Sequence, residues 1–201
     1  MPRILAVPGL VIAIAIVSSG CAARGRIATP DEMARLGQAN GLSASGQIAL
    51  SGPGGRFRTR IVIGVARPGS LRLEIPAGSG LRFLLVTNGG RLRADLPQDD
   101  ATYEGPATSQ VMDALFGVAF DPKDLVAAIL GDSPEGLAAA WRFDRGQPAQ
   151  VSMNDVHGKK LTLNFEESDL QTPDSRAFTF GAARSRSITL AEMAERLGLK
   201  R

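Results

Sequence analysis

Between Phe57 and Val65 the chain alternates: Phe57, Thr59, Ile61, Ile63 and Val65 fall on one parity, Arg58, Arg60, Val62 and Gly64 on the other. Successive side chains of a strand point to opposite faces, so this is the pattern of a strand with one half-buried face. The same period returns in Leu71, Leu73 and Ile75 against Arg72 and Glu74, in Leu81, Phe83 and Leu85 opposite Arg82, and in Leu92, Ala94 and Leu96 against Arg91, Arg93 and Asp95. Short glycine-rich links separate these stretches: Gly52-Pro53-Gly54-Gly55, Pro68-Gly69, Ala77-Gly78-Ser79-Gly80 and Asn88-Gly89-Gly90. Parallel neighbours need crossovers of a dozen residues or more, so the links predict an antiparallel meander. Strands are predicted again over Ala140 to Asp144, Gln150 to Asn154 and Lys160 to Glu166, with a further short one around Ala177 to Phe180.

Helical spacing interrupts the strands. Thr29-Pro30-Asp31-Glu32 is a capping-box pattern with proline at the first helical position, and Asn40-Gly41 stops the helix that carries Met33 and Leu36. Val111, Met112, Leu115 and Phe116 predict a second helix. Asp121-Pro122 opens a third with Leu125, Val126, Ile129 and Leu130, and Thr189 to Glu192 caps a terminal one over Leu190 to Leu197. A long sheet with so few helices must curl to protect its apolar face. The expected fold is α+β, mainly β: a curved antiparallel sheet forming a half-open barrel capped by short helices.

Composition narrows the chemistry. The 201 residues, 44% hydrophobic and 21% charged, are those of a globular chain with one domain of ordinary size. One cysteine and one histidine leave no material for an intramolecular disulfide, a thiolate cage or a multi-histidine metal site, and little for a nucleophile–histidine relay. A net charge of +3 is too mild to signal nucleic acid.

The amino end carries Arg3, an uncharged run from Ile4 to Val17 broken by Pro8 and Gly9, and then Ser18, Ser19 and Gly20 before Cys21. This is a secretory layout, and the run is shorter than the roughly 20 apolar residues of a membrane-spanning helix. Ser-Ser-Gly-Cys resembles the lipobox of bacterial lipoproteins, with Ser18 standing where leucine is usual. The resemblance implies cleavage before Cys21 and acylation of that cysteine; the alternative is a small residue beside an ordinary cleavage site. The domain reading is a leader over 1–20, a lipidated tether over 21–28 and a single domain over 29–201. Ala22, in place of an aspartate, points within the same resemblance to the outer membrane, with the domain in the periplasm.

Several strings between Ser70 and Pro134 resemble the LolB family of outer-membrane lipoproteins: Ser70-Leu71-Arg72-Leu73-Glu74, Pro76-Ala77-Gly78-Ser79-Gly80, Phe116 through Leu125, and Ala128 through Pro134. The resemblance implies a half-open barrel around an apolar cavity, an activity of accepting acylated proteins from a LolA-type periplasmic carrier, and their placement in the outer membrane. In that family the loop matching Pro76 to Gly80 presents an exposed leucine for membrane insertion. Here Ala77 stands at that place, with much less apolar area; Leu81 at the loop edge is a candidate substitute, although its alternation with Phe83 more naturally makes it core.

A cavity for acyl chains needs broad apolar walls and few buried charges. The candidate lining is Ile61, Ile63, Leu73, Ile75, Phe83 and Leu85 from strands, with Met112, Leu115, Phe116, Leu125 and Ile129 from helices; each could equally be ordinary core. Other motifs are weaker. His157 sits in a polar hairpin segment, Ser79 lacks Gly-x-Ser-x-Gly spacing, Gly52 to Arg56 lacks the ending of a phosphate loop, and Asp99-Asp100 and Glu166-Glu167 lack calcium-loop spacing. The arginines at 58, 60, 72, 82, 91 and 93 are read as a solvated outer face, with anionic headgroups or an acidic carrier protein as possible partners. The expectation is thus a monomeric, membrane-anchored, non-enzymatic binder of acyl chains or lipidated proteins, with no cofactor and no metal. The alternative is an envelope-assembly or protein-interaction module on the same fold with a filled interior.

Overall fold

A computed structural model describes residues 25–52, 55–155 and 157–198. The leader, Cys21, the first residues of the tether, Pro53, Gly54, Val156 and residues 199–201 lie outside the described residues.

The alternating stretches form one eleven-stranded sheet, in the order β1-β8-β9-β10-β2-β3-β4-β5-β6-β7-β11. Its central run is the predicted meander: β2 (Gly41–Gly52), β3 (Gly55–Ala66), β4 (Ser70–Ala77), β5 (Gly80–Asn88), β6 (Arg91–Leu96) and β7 (Ala101–Pro106), each antiparallel to the next. A second meander, β8 (Ala138–Asp144), β9 (Gln147–Asn154) and β10 (Lys160–Asp169), returns so that β10 pairs with β2, Lys160 opposite Ser51 and Leu163 opposite Ile48. The sheet curves without closing. Its edges carry two-residue strands: β1 (Arg26–Ile27) on β8, and β11 (Arg186–Ser187), parallel to β7.

Strand β2 has no counterpart among the expected strands. Leu42, Ala44, Ile48 and Leu50 are buried with period 2, but Ser43, Ser45, Gly46 and Ala49 between them have low strand propensity and mask the alternation. Gly46 is required by close approach: a Cβ there would stand 2.0 Å from the carbonyl oxygen of Asn164. Beside it β10 bulges between Phe165 and Glu167. β7 likewise has no counterpart among the expected strands, and the predicted strand near Ala177 is instead a 3-10 turn over Ser175–Phe178.

Four helices cover the concave side. α1 (Pro30–Gln38) starts with the predicted capping box, the Thr29 hydroxyl accepting from the Glu32 N–H while Glu32 accepts from the Thr29 N–H. α2 (Ser109–Phe116) buries Val111, Met112, Leu115 and Phe116. α3 (Pro122–Ile129) buries Leu125, Val126, Ala128 and Ile129. α4 (Leu190–Leu197), also with a capping box, packs Met193 and Leu197 into the same core and lies against α2. Trp141 completes the core, its ring 5.9 Å from that of Phe165 and its Nε1–H donating to the Ala128 carbonyl of α3 at 3.1 Å.

The outer face differs from the expectation in one respect. Arg93 is buried, only 3% exposed, rather than solvated. Residues 171–187 cross the convex face of β3 to β6 on their way from β10 to β11, and Arg93 donates to their Gly181 and Ala182 carbonyls, both at 2.6 Å. Arg72 donates to the Ala177 carbonyl at 3.1 Å, Asn88 to that of Phe178 at 3.3 Å, and the Arg91 guanidinium lies over the Phe180 ring. Cationic side chains that look like a solvated row from their parity thus hold a strap in place. Arg56, Arg58, Arg60 and Arg82 stay exposed.

Candidate functional site

The concave face of the sheet and the undersides of α2 and α3 enclose an apolar gap. It is lined by Ile48 of β2, Ile63 of β3, Leu71 and Leu73 of β4, Leu85 of β5, Leu161 and Leu163 of β10, Met112 and Phe116 of α2, and Leu125 of α3. No polar atom contributes to the wall. The space between atoms amounts to about 340 Å³ with its open mouth included, but the part that is clear of side chains holds about one water molecule. The interior is therefore a narrow seam between two apolar layers.

Of the lining expected from the sequence, Ile63, Leu73, Leu85, Met112, Phe116 and Leu125 are brought to this seam. Ile61, Ile75, Phe83, Leu115 and Ile129 are buried in the surrounding core, with Phe83 edge-on to Phe116 at 5.8 Å between ring centres. Ile48, Leu71, Leu161 and Leu163 complete the wall. Leu71 is on the expected inward parity of β4, and Leu161 and Leu163 on that of β10. Their convergence with Ile48 depends on the β10–β2 pairing, which joins segments more than a hundred residues apart.

The helical cover is tied to the sheet by polar contacts at its two ends. At one end Arg67, just past β3, donates to the Ala39 and Gly37 carbonyls at 3.0 and 3.1 Å, to the Leu130 carbonyl at 3.2 Å, and to both carboxylate oxygens of Asp132. The carboxylate of Asp132 raises the already high pKa of this guanidinium, so the charge of the tie is permanent. One side chain thereby clasps the ends of α1 and α3. At the other end, Asp155 in the β9–β10 connection accepts from the N–H groups of His157 and Lys159 at 2.9 and 2.8 Å and from Ala119, between α2 and α3, at 3.4 Å. Lys159 bonds Asp113 of α2 at 2.8 Å. Between these ends α2 and α3 bury apolar side chains, with the Trp141 bond to Ala128 among them, while α1 and α4 add Arg35 to the Gly146 carbonyl and Arg196 to Asp99.

The β4–β5 hairpin turns at Gly78-Ser79, with Ala77 opposite Gly80. Ala77 and Leu81 are both half-buried, and Pro76 and Ser79 are exposed. His157 is exposed as expected, and Asp99 and Asp100 are engaged by Arg196 and Ser185. Among the described residues no group of three or more histidine, cysteine or acidic side chains could hold a metal ion, and no helix is long and apolar enough to cross a membrane.

No protein-family model and no curated protein matches the chain. Solved structures do. The chain is similar to a LolA superfamily protein from Nitrosomonas europaea, at 8% identity over 76% of this chain and 98% of the other, with a TM-score of 0.39. It is similar to a candidate outer membrane lipoprotein-sorting domain from Vibrio parahaemolyticus, at 11% identity over 74% and 94% of the two chains, with a TM-score of 0.41. It is also similar to MucB, at 19% identity over 78% of this chain and 64% of MucB, with a TM-score of 0.35; MucB has been solved with MucA from Pseudomonas aeruginosa.

Proposed function

We propose that this chain is a LolB-like carrier that binds acyl chains or lipidated proteins noncovalently and passes them to the outer membrane, to which Cys21 anchors it. The observation that supports the reading most is the seam itself: its wall is all apolar, and the polar ties of α2 and α3, the Trp141 bond apart, are gathered at the ends of the cover. Parting α2 and α3 from the sheet would expose apolar walls on both sides without stranding a buried charge, and hydrocarbon tails would replace the lost contacts. No bond is made or broken in such an exchange. A LolA-type periplasmic protein is the donor in this reading. Ala77 supplies little apolar area at the β4–β5 tip, so delivery depends on the tip less than in the LolB pattern.

A second reading is favoured by the narrowness of the seam. With clear space for about one water molecule, the closed form is also what an envelope-assembly module with a filled interior would present. The two differ in whether the cover opens. A Cβ on Gly69, in the β3–β4 link, would stand 3.0 Å from the Cβ of Lys123 in α3, below the 3.5–4.5 Å of a disulfide, so a bridge forms once the link gives by about half an ångström. The pair Gly69→Cys and Lys123→Cys, in a Cys21→Ser background, would lock α3 down. For a carrier, a fluorescent fatty acid and a lipidated peptide bind the reduced protein, binding falls at least tenfold on oxidation, and reductant restores it. Binding by neither redox form would leave the interaction module as the better account.

A further inference from the structure

We propose that the groove beneath the strap is a binding site for an extended, uncharged peptide segment of a partner protein, and that residues 177–187 occupy it as a displaceable ligand of the chain's own. The site shares no residue with the seam and does not need the cover to open. The strand registers align Gly64, Arg72, Val86, Arg93 and Glu104 in one row across the convex face of β3 to β7. The strap follows that row. Phe178 is 4% exposed, and its ring lies 4.0 Å from where a Cβ on Gly64 would stand, so the bare backbone of β3 makes room for it. The carbonyls of Ala177, Phe178, Gly181 and Ala182 are taken in turn by Arg72, Asn88 and, for the last two, Arg93.

Two features mark the strap as a ligand of this floor. What the floor reads is mainly backbone: the four carbonyls, with Phe178 buried and Phe180 under the Arg91 guanidinium as the aromatic side chains engaged. Any extended chain presents such carbonyls. The far half of the strap is lightly held, since residues 181–187 are all exposed and its pairing with β7 is two residues long and parallel, among described pairings that are otherwise antiparallel. The floor also sets the charge of what it takes. Arg72 is paired with Glu74 at 2.6 Å, Arg91 with Glu104 at 3.0 Å and Arg93 with Asp95 at 3.1 Å. Each guanidinium is neutralised yet keeps N–H donors to spare, which suits carbonyl oxygens, while the three carboxylates repel an anion. The partner segment is therefore extended and neutral, with an aromatic residue at the Phe178 place and small residues where Gly181 and Ala182 meet Arg93 at 2.6 Å.

The test is a neutral peptide with the sequence of residues 177–183, blocked at both ends, titrated calorimetrically into the full chain carrying Cys21→Ser. A strap tied at both ends competes at an effective concentration on the order of millimolar, so this parent chain binds the peptide weakly. Phe178→Ser loosens the strap, and the peptide then binds at least tenfold more tightly. A peptide with serine in place of Phe178 binds at least tenfold more weakly than the first. Binding changes less than about threefold between 0.05 and 0.5 M salt. Saturating peptide on the parent chain speeds amide exchange at Arg184, Arg186 and Ile188, whose N–H groups bond Thr102 and Asp100 while the strap is seated. Equal affinity for the two peptides, no gain in a folded Phe178→Ser chain, or unchanged exchange at those three amides would overturn the proposal. If that variant fails to fold, the peptide pair and the amide exchange on the parent chain decide. Tighter binding of an acidic peptide of the same length would also overturn it, by assigning the groove to an anion. Fatty-acid binding without peptide binding would leave the carrier standing and remove this site alone.

Discussion

Arg93 carries the most concentrated polar contact on the convex face. Its guanidinium donates to Asp95 at 3.1 Å and to two strap carbonyls, and the Thr102 hydroxyl donates to the same Asp95 oxygen at 2.5 Å. With Arg93 and Asp95 both almost fully covered, removing one partner leaves the other charge buried, so Arg93→Ala should cost about 3–5 kcal/mol in urea unfolding. The change should also raise proteolysis between residues 171 and 187, which digestion followed by mass spectrometry reads. Two carboxyls make a pH prediction. The Thr29 backbone N–H, together with Arg26, holds Glu32 below its ordinary 4.5, and the Thr189 N–H and hydroxyl hold Glu192 below the same value. A folded-state pKa below the unfolded one stabilises above the unfolded value and is lost as pH falls through the folded one. Stability should therefore decline from about pH 5 downward, and Glu32→Gln with Glu192→Gln should flatten that part of the urea-unfolding profile.

The elements are held by contacts of different reach. β2 and β10 meet where Gly46 leaves room for the Asn164 carbonyl, so Gly46→Val should force the strands apart and cost about 1–3 kcal/mol or more, measurable as a lowered unfolding midpoint. The cover is held at one end by Arg67, whose donors reach α1 and the end of α3 together. Arg67→Ala should loosen both, speeding amide exchange in α3 ahead of the central strands, while the β2–β3 hairpin keeps its protection. Helix boundaries were legible because caps are local: Thr29 with Glu32, Asp121 with Pro122, and Thr189 with Glu192 each act within four residues. β2 was not legible, because its burial is set by partners on both sides rather than by its own serine-, glycine- and alanine-rich run.

At the scale of the molecule, an unclosed sheet of eleven strands leaves a concave apolar face that helices from both ends of the chain must cover. The proposed anchoring through Cys21 is tested at this scale: labelled palmitate should enter the wild-type chain in cells and not the Cys21→Ser variant, which should move to the soluble fraction. Parity along the strands, capping residues and short glycine links determined by themselves that the chain is a curled antiparallel meander with four helices, since each acts through neighbours a few residues away. Parity also put six of the seam's residues on the inward face. Tertiary structure alone decided which inward residues share one seam, because the β10–β2 pairing brings Leu161 and Leu163 to Ile48 across the length of the chain. It alone decided that Arg93 is buried while Arg60 is exposed: both sit on the outward parity, and only a strap arriving from beyond β10 distinguishes them.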